Sequence, residues 1–183
     1  MERLLKTPAP EPVSLEEAKD HLKLDTSNDN ALVLMLIKLA RERAEHLMGR
    51  PILPRTYVLH LDAFPVDTEP VELSSTDVIA INSVSYRSNT GALIVLPETD
   101  YVLLGKERLA APNGWPLGRA VEIEFSAGMF ADVATVPSSI KQWMLMLIGT
   151  LYVNRESISD GRLKELPRTY ADGLLDEWRI VRV

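Results

Sequence analysis

The stretch Leu32-Val-Leu-Met-Leu-Ile-Lys-Leu-Ala-Arg-Glu-Arg-Ala-Glu-His-Leu-Met-Gly-Arg-Pro51, continuing Ile52-Leu-Pro-Arg-Thr-Tyr-Val-Leu-His-Leu61, contains the change of grammar that decides the fold class. Up to Leu47 the pattern is helical. Leu32, Leu36, Leu39, Arg43 and Leu47 recur at helical spacing, and Val33, Ile37, Ala40 and Ala44 form an adjacent stripe. Lys38, Arg41, Glu42 and Glu45 take the remaining surface. Gly49 stands where a helix closes on a left-handed residue, and Pro51 follows as a stop. From Tyr57 the period falls to two, with Tyr57, Leu59 and Leu61 alternating as on a half-buried strand. Two apolar stripes on one helix call for two partners, the rest of the subunit and a neighbouring chain.

Upstream, Ser14-Leu-Glu-Glu17 fits a capping box, with Val13 and Ala18 placed as a weak staple. It predicts a short helix over about 15 to 24, in which Leu15, Ala18 and Leu22 share a face. Asp25-Thr-Ser-Asn-Asp-Asn30 is a polar turn rich in N-cap residues. Downstream, short strands are predicted at Val71 and Leu73, Val78 to Tyr86, Ala92 to Leu96, Tyr101 to Leu104 and Arg108 to Ala110. Val121, Ile123 and Phe125 alternate with Glu122 and Glu124 in a last one. Prolines at 65, 70, 97, 112 and 116 punctuate this region and imply short strands with many edges.

A third helix is predicted from Pro137, a residue suited to a first helical turn. Ile140, Met144, Leu147, Ile148 and Leu151 form one face, while Trp143, Leu145 and Met146 fill much of the rest. A helix apolar on nearly every side belongs in a core or an assembly. After Asn154 the chain turns polar; Leu166 to Tyr170 reads as extended, and Leu174, Leu175 and Trp178 make a last apolar cluster before Arg179. The elements predict an α+β fold, mainly helical. An N-terminal helix pair and a long C-terminal helix flank a small antiparallel β-sheet inserted between helices 2 and 3. One domain over 1–183 is expected: a helical pair at 12–50, a β insertion at 55–128, the long helix at 137–154 and a C-terminal tail at 155–183.

Composition narrows the function classes. The 183 residues are enough for a sizeable core, and 46% are hydrophobic. Without cysteine the chain has no disulfide scaffold, thiolate metal site or cysteine nucleophile. A net charge of -6 argues against a surface built to coat nucleic acid. The start, Met1-Glu-Arg-Leu-Leu-Lys-Thr-Pro8, lacks the pattern of a signal peptide, and no window approaches the ~18 apolar residues of a membrane span. Assembly in a cytoplasm is the expectation.

Candidate chemistry is sparse. His21, His46 and His60 lie in separate elements with no metal-ligand spacing, and no phosphate-cradling or nucleophile-elbow motif occurs. Gly114-Trp-Pro-Leu-Gly118 reads as a turn with an anchored tryptophan. Asp160 and Asp172 belong to no calcium pattern. Glu122 and Glu124 share one strand face, which alternation explains without acid–base chemistry. No catalytic, cofactor-binding or metal residue is assigned.

The order of these features resembles the phage head–tail connector (adaptor) family, small proteins that form a ring beneath the portal of tailed bacteriophages. Pro12-Val-Ser-Leu-Glu-Glu-Ala-Lys-Asp-His-Leu-Lys-Leu24 is similar to the family's entry helix and turn. Leu39-Ala-Arg-Glu-Arg-Ala-Glu-His-Leu-Met-Gly-Arg50 resembles its helix ending in a Thr/Met-Gly-Arg signature. Ile81-Asn-Ser-Val-Ser-Tyr86 resembles its central strand. Gly114-Trp-Pro116 followed by Val121-Glu-Ile-Glu-Phe-Ser-Ala-Gly128 resembles its last strand, with the closing Ala-Gly. Val136-Pro-Ser-Ser-Ile140 and Tyr152-Val-Asn-Arg-Glu156 are similar to the two ends of its last long helix. The match fades from Ser157 to Gly173.

The resemblance implies a non-enzymatic virion protein at the head–tail interface, assembled in the host bacterial cytoplasm and needing no cofactor. Its partners would be about twelve copies of itself in a ring, the portal, and a stopper or tail-completion protein. DNA would pass through without specific binding, and no membrane would be involved. Leu32, Leu36, Trp143, Met144, Leu147 and Leu151 would serve the subunit interface or the core. Leu174, Leu175, Trp178 and Arg179 would dock on the portal or a neighbour, or pack back on their own subunit. Glu122 and Glu124 would face an acidic channel along which DNA slides. The competing readings are a small α+β binding or regulatory module, such as one that contacts nucleic acid, and a small enzyme with a site in the sheet. The net charge speaks against the first and the lack of a convergent polar set against the second.

Overall fold

In the computed structural model, residues 2–4, 10–73, 75, 77–154 and 173–180 are described. The chain divides into two compact units. One comprises Met1–Ala9 with Leu53–Met129, the other Pro10–Ile52 with Phe130–Val183.

The second unit holds the helices. Helix α1 (Leu15–Leu22) starts on a complete capping box: the Glu17 amide donates to Ser14 Oγ at 3.1 Å, and the Ser14 amide donates to Glu17 Oε2 at 2.7 Å. Helix α2 (Asn30–Met48) ends at Gly49, whose φ of 71° is the left-handed turn that glycine takes without strain. Helix α3 (Ser138–Val153) follows Pro137. The three helices pack on one another, burying Ala18, Val33, Ile37, Ala40, Ala44, Ile140, Met144 and Ile148 almost completely. One cation sits among them. The Arg41 side chain is 7% exposed; its Nε meets Glu11 at 2.7 Å and its Nη1 meets Glu45 at 2.8 Å. Burial pulls the Arg41 pKa down, but Glu45 and Glu11 more than offset it and hold it above the ordinary arginine value.

Among the described residues the first unit holds eight strands in two antiparallel sheets. The five-stranded sheet runs in the order β1 (Glu2–Leu4), β2 (Arg55–Ala63), β8 (Arg119–Ala127), β4 (Val78–Arg87), β5 (Leu93–Val95). The three-stranded sheet runs β3 (Val71–Glu72), β7 (Arg108–Ala110), β6 (Val102–Leu104). Central β8 alternates strictly, with Val121, Ile123, Phe125 and Ala127 buried and the residues between them outward. Against them pack Leu59, Val84 and Tyr86 from the same sheet and Val71 and Leu109 from the smaller one, so both sheets close on one core. Tyr57 stacks on Phe125 at 5.6 Å between centroids, and Phe64 stacks on Trp115 at 4.7 Å. The Trp115 indole N–H also donates to the Glu69 carbonyl at 2.9 Å, so the loop from Gly114 to Gly118 is pinned by its tryptophan. Gly128 ends β8 where a Cβ would lie 2.6 Å from Pro54 N and 2.7 Å from Leu53 C, an approach only glycine permits.

Two expectations are corrected. The fold is α+β but not mainly helical: the long strands β2, β4 and β8 have 9, 10 and 9 residues, and five shorter ones accompany α-helices of 8, 19 and 16 residues. The anticipated small sheet is two sheets, with β1 added ahead of the helices. The prolines imply short strands, yet they fall between strands, and none interrupts β2, β4 or β8. The pairing of Glu2–Leu4 with β2 is a long-range contact that local periodicity does not carry. The segment Leu166 to Tyr170, expected to be extended, lies outside the described residues.

Candidate assembly surfaces

The outer face of the five-stranded sheet carries the acidic pair. Glu122 lies between His60 on β2 and Ser85 on β4, and Glu124 between Val58 and Ser83. The Glu122 carboxylate is 3.7 Å from His60 Nδ1, and both side chains are half exposed. Asn82 Nδ2 donates to Glu124 Oε1 at 3.3 Å. Near the β5 end a shallow open depression is lined by His60, Asp62, Ser85, Arg87, Leu93 and Glu122. Its walls mix carboxylates with an imidazole, an arginine, a serine and leucine side chains. Ala120, at φ 50°, adjoins the last of three register shifts between β4 and β8, where the ladder moves from Ser85↔Glu122 to Arg87↔Arg119. Among the described residues no group of three metal-ligating side chains converges, and no helix is long and apolar enough to cross a membrane.

The residues expected at a subunit interface or core divide by depth. Leu36, Trp143 and Met144 are buried inside the helical unit, whereas Leu32, Leu147 and Leu151 are half-buried. The tail cluster folds back on its own unit. Leu175 is fully buried, Trp178 meets Phe130 edge to face at 5.3 Å, and its indole N–H donates to Ser139 Oγ at 3.3 Å. The Ile180 amide donates to the Met48 carbonyl at 3.1 Å, fastening this stretch to the end of α2. Leu174 is half-buried, and Arg179 pairs with Asp176 at 3.2 Å.

Two exposed apolar surfaces escaped the sequence reading. On α2, Leu34, Met35 and Leu39 are 51%, 58% and 45% exposed, so the outward stripe is offset from the one through Leu32 and Leu36. On β5, Leu93, Ile94 and Val95 are all solvent-accessible. The signal for β5 was a run of three apolar residues in a strand too short to have two buried faces.

Comparison with known proteins gives a consistent result for the fold. No protein-family model matches the chain, and no curated protein matches it by sequence. Among solved structures, a chain from the neck of an empty gene transfer agent (GTA) particle computed with C6 symmetry superposes with a TM-score of 0.80 at 23% identity. A chain from the virion of the native GTA particle gives 0.77 at 22%, and one from the native neck computed with C12 symmetry gives 0.76 at 21%. Each alignment covers 100% of this chain and 97% of the other. The chain has the fold of a GTA neck component from end to end.

Proposed function

We propose that the protein is a structural, non-enzymatic component of the neck of a tailed-phage-like particle, a connector that joins the portal of the head to the tail. Copies form a ring that extends the DNA channel and offers a docking surface to stopper or tail-completion proteins. The observation that carries this reading is the full-length match in fold to chains of GTA necks. Cyclic assembly also gives a use to the apolar area on α2 and β5 that the monomer leaves exposed. The protein resides in the virion at the head–tail interface and is assembled in the host cytoplasm.

Glu122 and Glu124 face the channel in this reading. A ring with carboxylates toward the lumen repels the phosphate backbone and lets DNA slide without binding. Reversing both charges to lysine is expected to give the assembled ring salt-dependent affinity for duplex DNA. Of the residues proposed to dock on the portal or a neighbour, the partners of Leu175 and Trp178 within the subunit favour the alternative of packing there, while Leu174 and Arg179 stay proposed for docking.

Mass photometry of the purified protein, alone and with a candidate portal protein, tests the reading. Ring-sized species or a stoichiometric portal complex are expected. A persistent monomer that binds no portal overturns it.

A further inference from the structure

Among the described residues no strand pairs with either outer edge of the five-stranded sheet, and the two edges differ. At one end, the ladder between β4 and β5 is phased by two hydrogen bonds: the Leu96 amide donates to Val84 O at 2.8 Å and the Ser88 amide to Ala92 O at 2.9 Å. With Ser85 opposite Val95, Tyr86 opposite Ile94 and Arg87 opposite Leu93, hydrogen-bonded pairs fall on every second residue. Ile94 therefore turns its amide and carbonyl toward β4. Leu93 and Val95 turn theirs off the edge of the sheet, away from any described strand.

Such an edge is a template for another strand, and folded chains usually blunt it with lysine, proline or a bulge. The strand β5 is short, which limits such pairing, but it carries no lysine, proline or bulge. The strand is Leu93-Ile-Val95, with Leu93 64% and Val95 63% exposed. Both side chains stand on the outer face beside Ser85 and Arg87, so a strand laid along β5 would cover them as it pairs.

The opposite end is β1, which pairs only with β2 among the described strands. All four pairings across the sheet are antiparallel, so β1 and β5 run in the same direction, and each is three residues long. Cyclic symmetry, as in the necks computed with C6 and C12 symmetry, needs head-to-tail contacts between two different surfaces of each copy. A β5–β5 contact would be isologous and would stop at a dimer. The two unlike ends of one sheet meet the requirement for a ring.

We propose that the free edge of β5 pairs in parallel with β1 of a neighbouring copy, continuing the five-stranded sheet from subunit to subunit. This rests on the ring reading above. Val95→Pro tests it, because it removes one amide aimed off the edge and leaves the bonds to β4 intact. The expected result is at least a tenfold fall in the fraction of ring species, with circular dichroism and thermal midpoint unchanged. A second test uses the absence of cysteine: Val95→Cys combined in turn with Glu2→Cys, Arg3→Cys and Leu4→Cys should yield a ladder of disulfide-linked multimers on oxidation. The cysteine pairs decide the matter if Val95→Pro fails to fold. Rings of Val95→Pro as abundant as wild type, rings with no cross-link in any pair, or cross-linked dimers from Val95→Cys alone would each overturn the edge pairing and leave the ring reading standing. A wild type that stays monomeric at every concentration and with portal overturns both.

Discussion

Replacing the buried Arg41 of α2 by methionine should destabilise the helical unit strongly. The guanidinium is 7% exposed and is held by Glu11 at 2.7 Å, Glu45 at 2.8 Å and, more loosely, Glu42 at 3.5 Å. Glu45, itself only 13% exposed, spends its other oxygen on the Ile52 amide at 3.0 Å. Methionine keeps most of the aliphatic stem, so the loss is chiefly electrostatic: a buried carboxylate stays behind beside a second one, with no cation between them. Removing one partner of a buried pair costs about 3–5 kcal/mol, and the partial exposure of Glu11 places this case near 3. With a urea slope of about 1–3 kcal/mol per molar, the midpoint should fall by at least ~1 M. The assay is urea denaturation at neutral pH, followed by the helical dichroism signal and by the fluorescence of Trp143 and Trp178, both in the helical unit. Adding Glu45→Gln to Arg41→Met should restore part of the loss, since the amide oxygen still accepts from Ile52 while the stranded charge is gone. An Arg41→Met midpoint within experimental error of wild type would refute the reasoning, and no rescue by the second substitution would refute the electrostatic part.

Three further outcomes follow from the geometry. The Ser14 amide, against some opposition from burial and with help from Lys141, holds the Glu17 carboxyl below its ordinary 4.5. A depressed carboxylate adds stability that is present above 4.5 and lost as pH falls through the folded value; Glu17→Gln should flatten the acid limb of a thermal-midpoint-versus-pH curve in that window. Gly128→Ala should cost about 2–3 kcal/mol in chemical denaturation, because its Cβ would strike the Leu53–Pro54 backbone rather than a movable side chain. Tyr152→Phe removes the phenol hydrogen bond to Asp29 that ties the end of α3 to the start of α2, and should cost about 1.5 kcal/mol, read as a lower thermal midpoint with unchanged secondary structure.

How legible these features were in the sequence differs from element to element. The capping box at Ser14 and Glu17, the glycine stop at Gly49 and the alternation through Val121, Ile123 and Phe125 are local patterns, and each occurs where the residues place it. The anchored Trp115 was likewise readable as a turn between strands. The offset of the exposed α2 stripe was not. Leu32 to Leu39 is apolar at every position but Lys38, so periodicity leaves open which side of the helix the core takes. Packing within the helical unit buries Val33, Leu36, Ile37 and Ala40 and leaves Leu34, Met35 and Leu39 exposed.

By itself, then, the sequence determined the helices, the long strands, the cap of α1, the stop of α2 and the absence of thiol chemistry, because helix starts, stops and strand alternation are set by interactions within a few residues. The order of features was also enough to suggest a connector. Only tertiary structure decided that the strands form two sheets around one core, that β1 joins the larger sheet across some fifty residues of intervening helices, and that Trp178 turns inward. It alone showed Leu93 and Val95 at a free edge. Which backbone groups a strand leaves unpaired depends on ladder phase and on neighbours distant in the chain, and no local pattern encodes either.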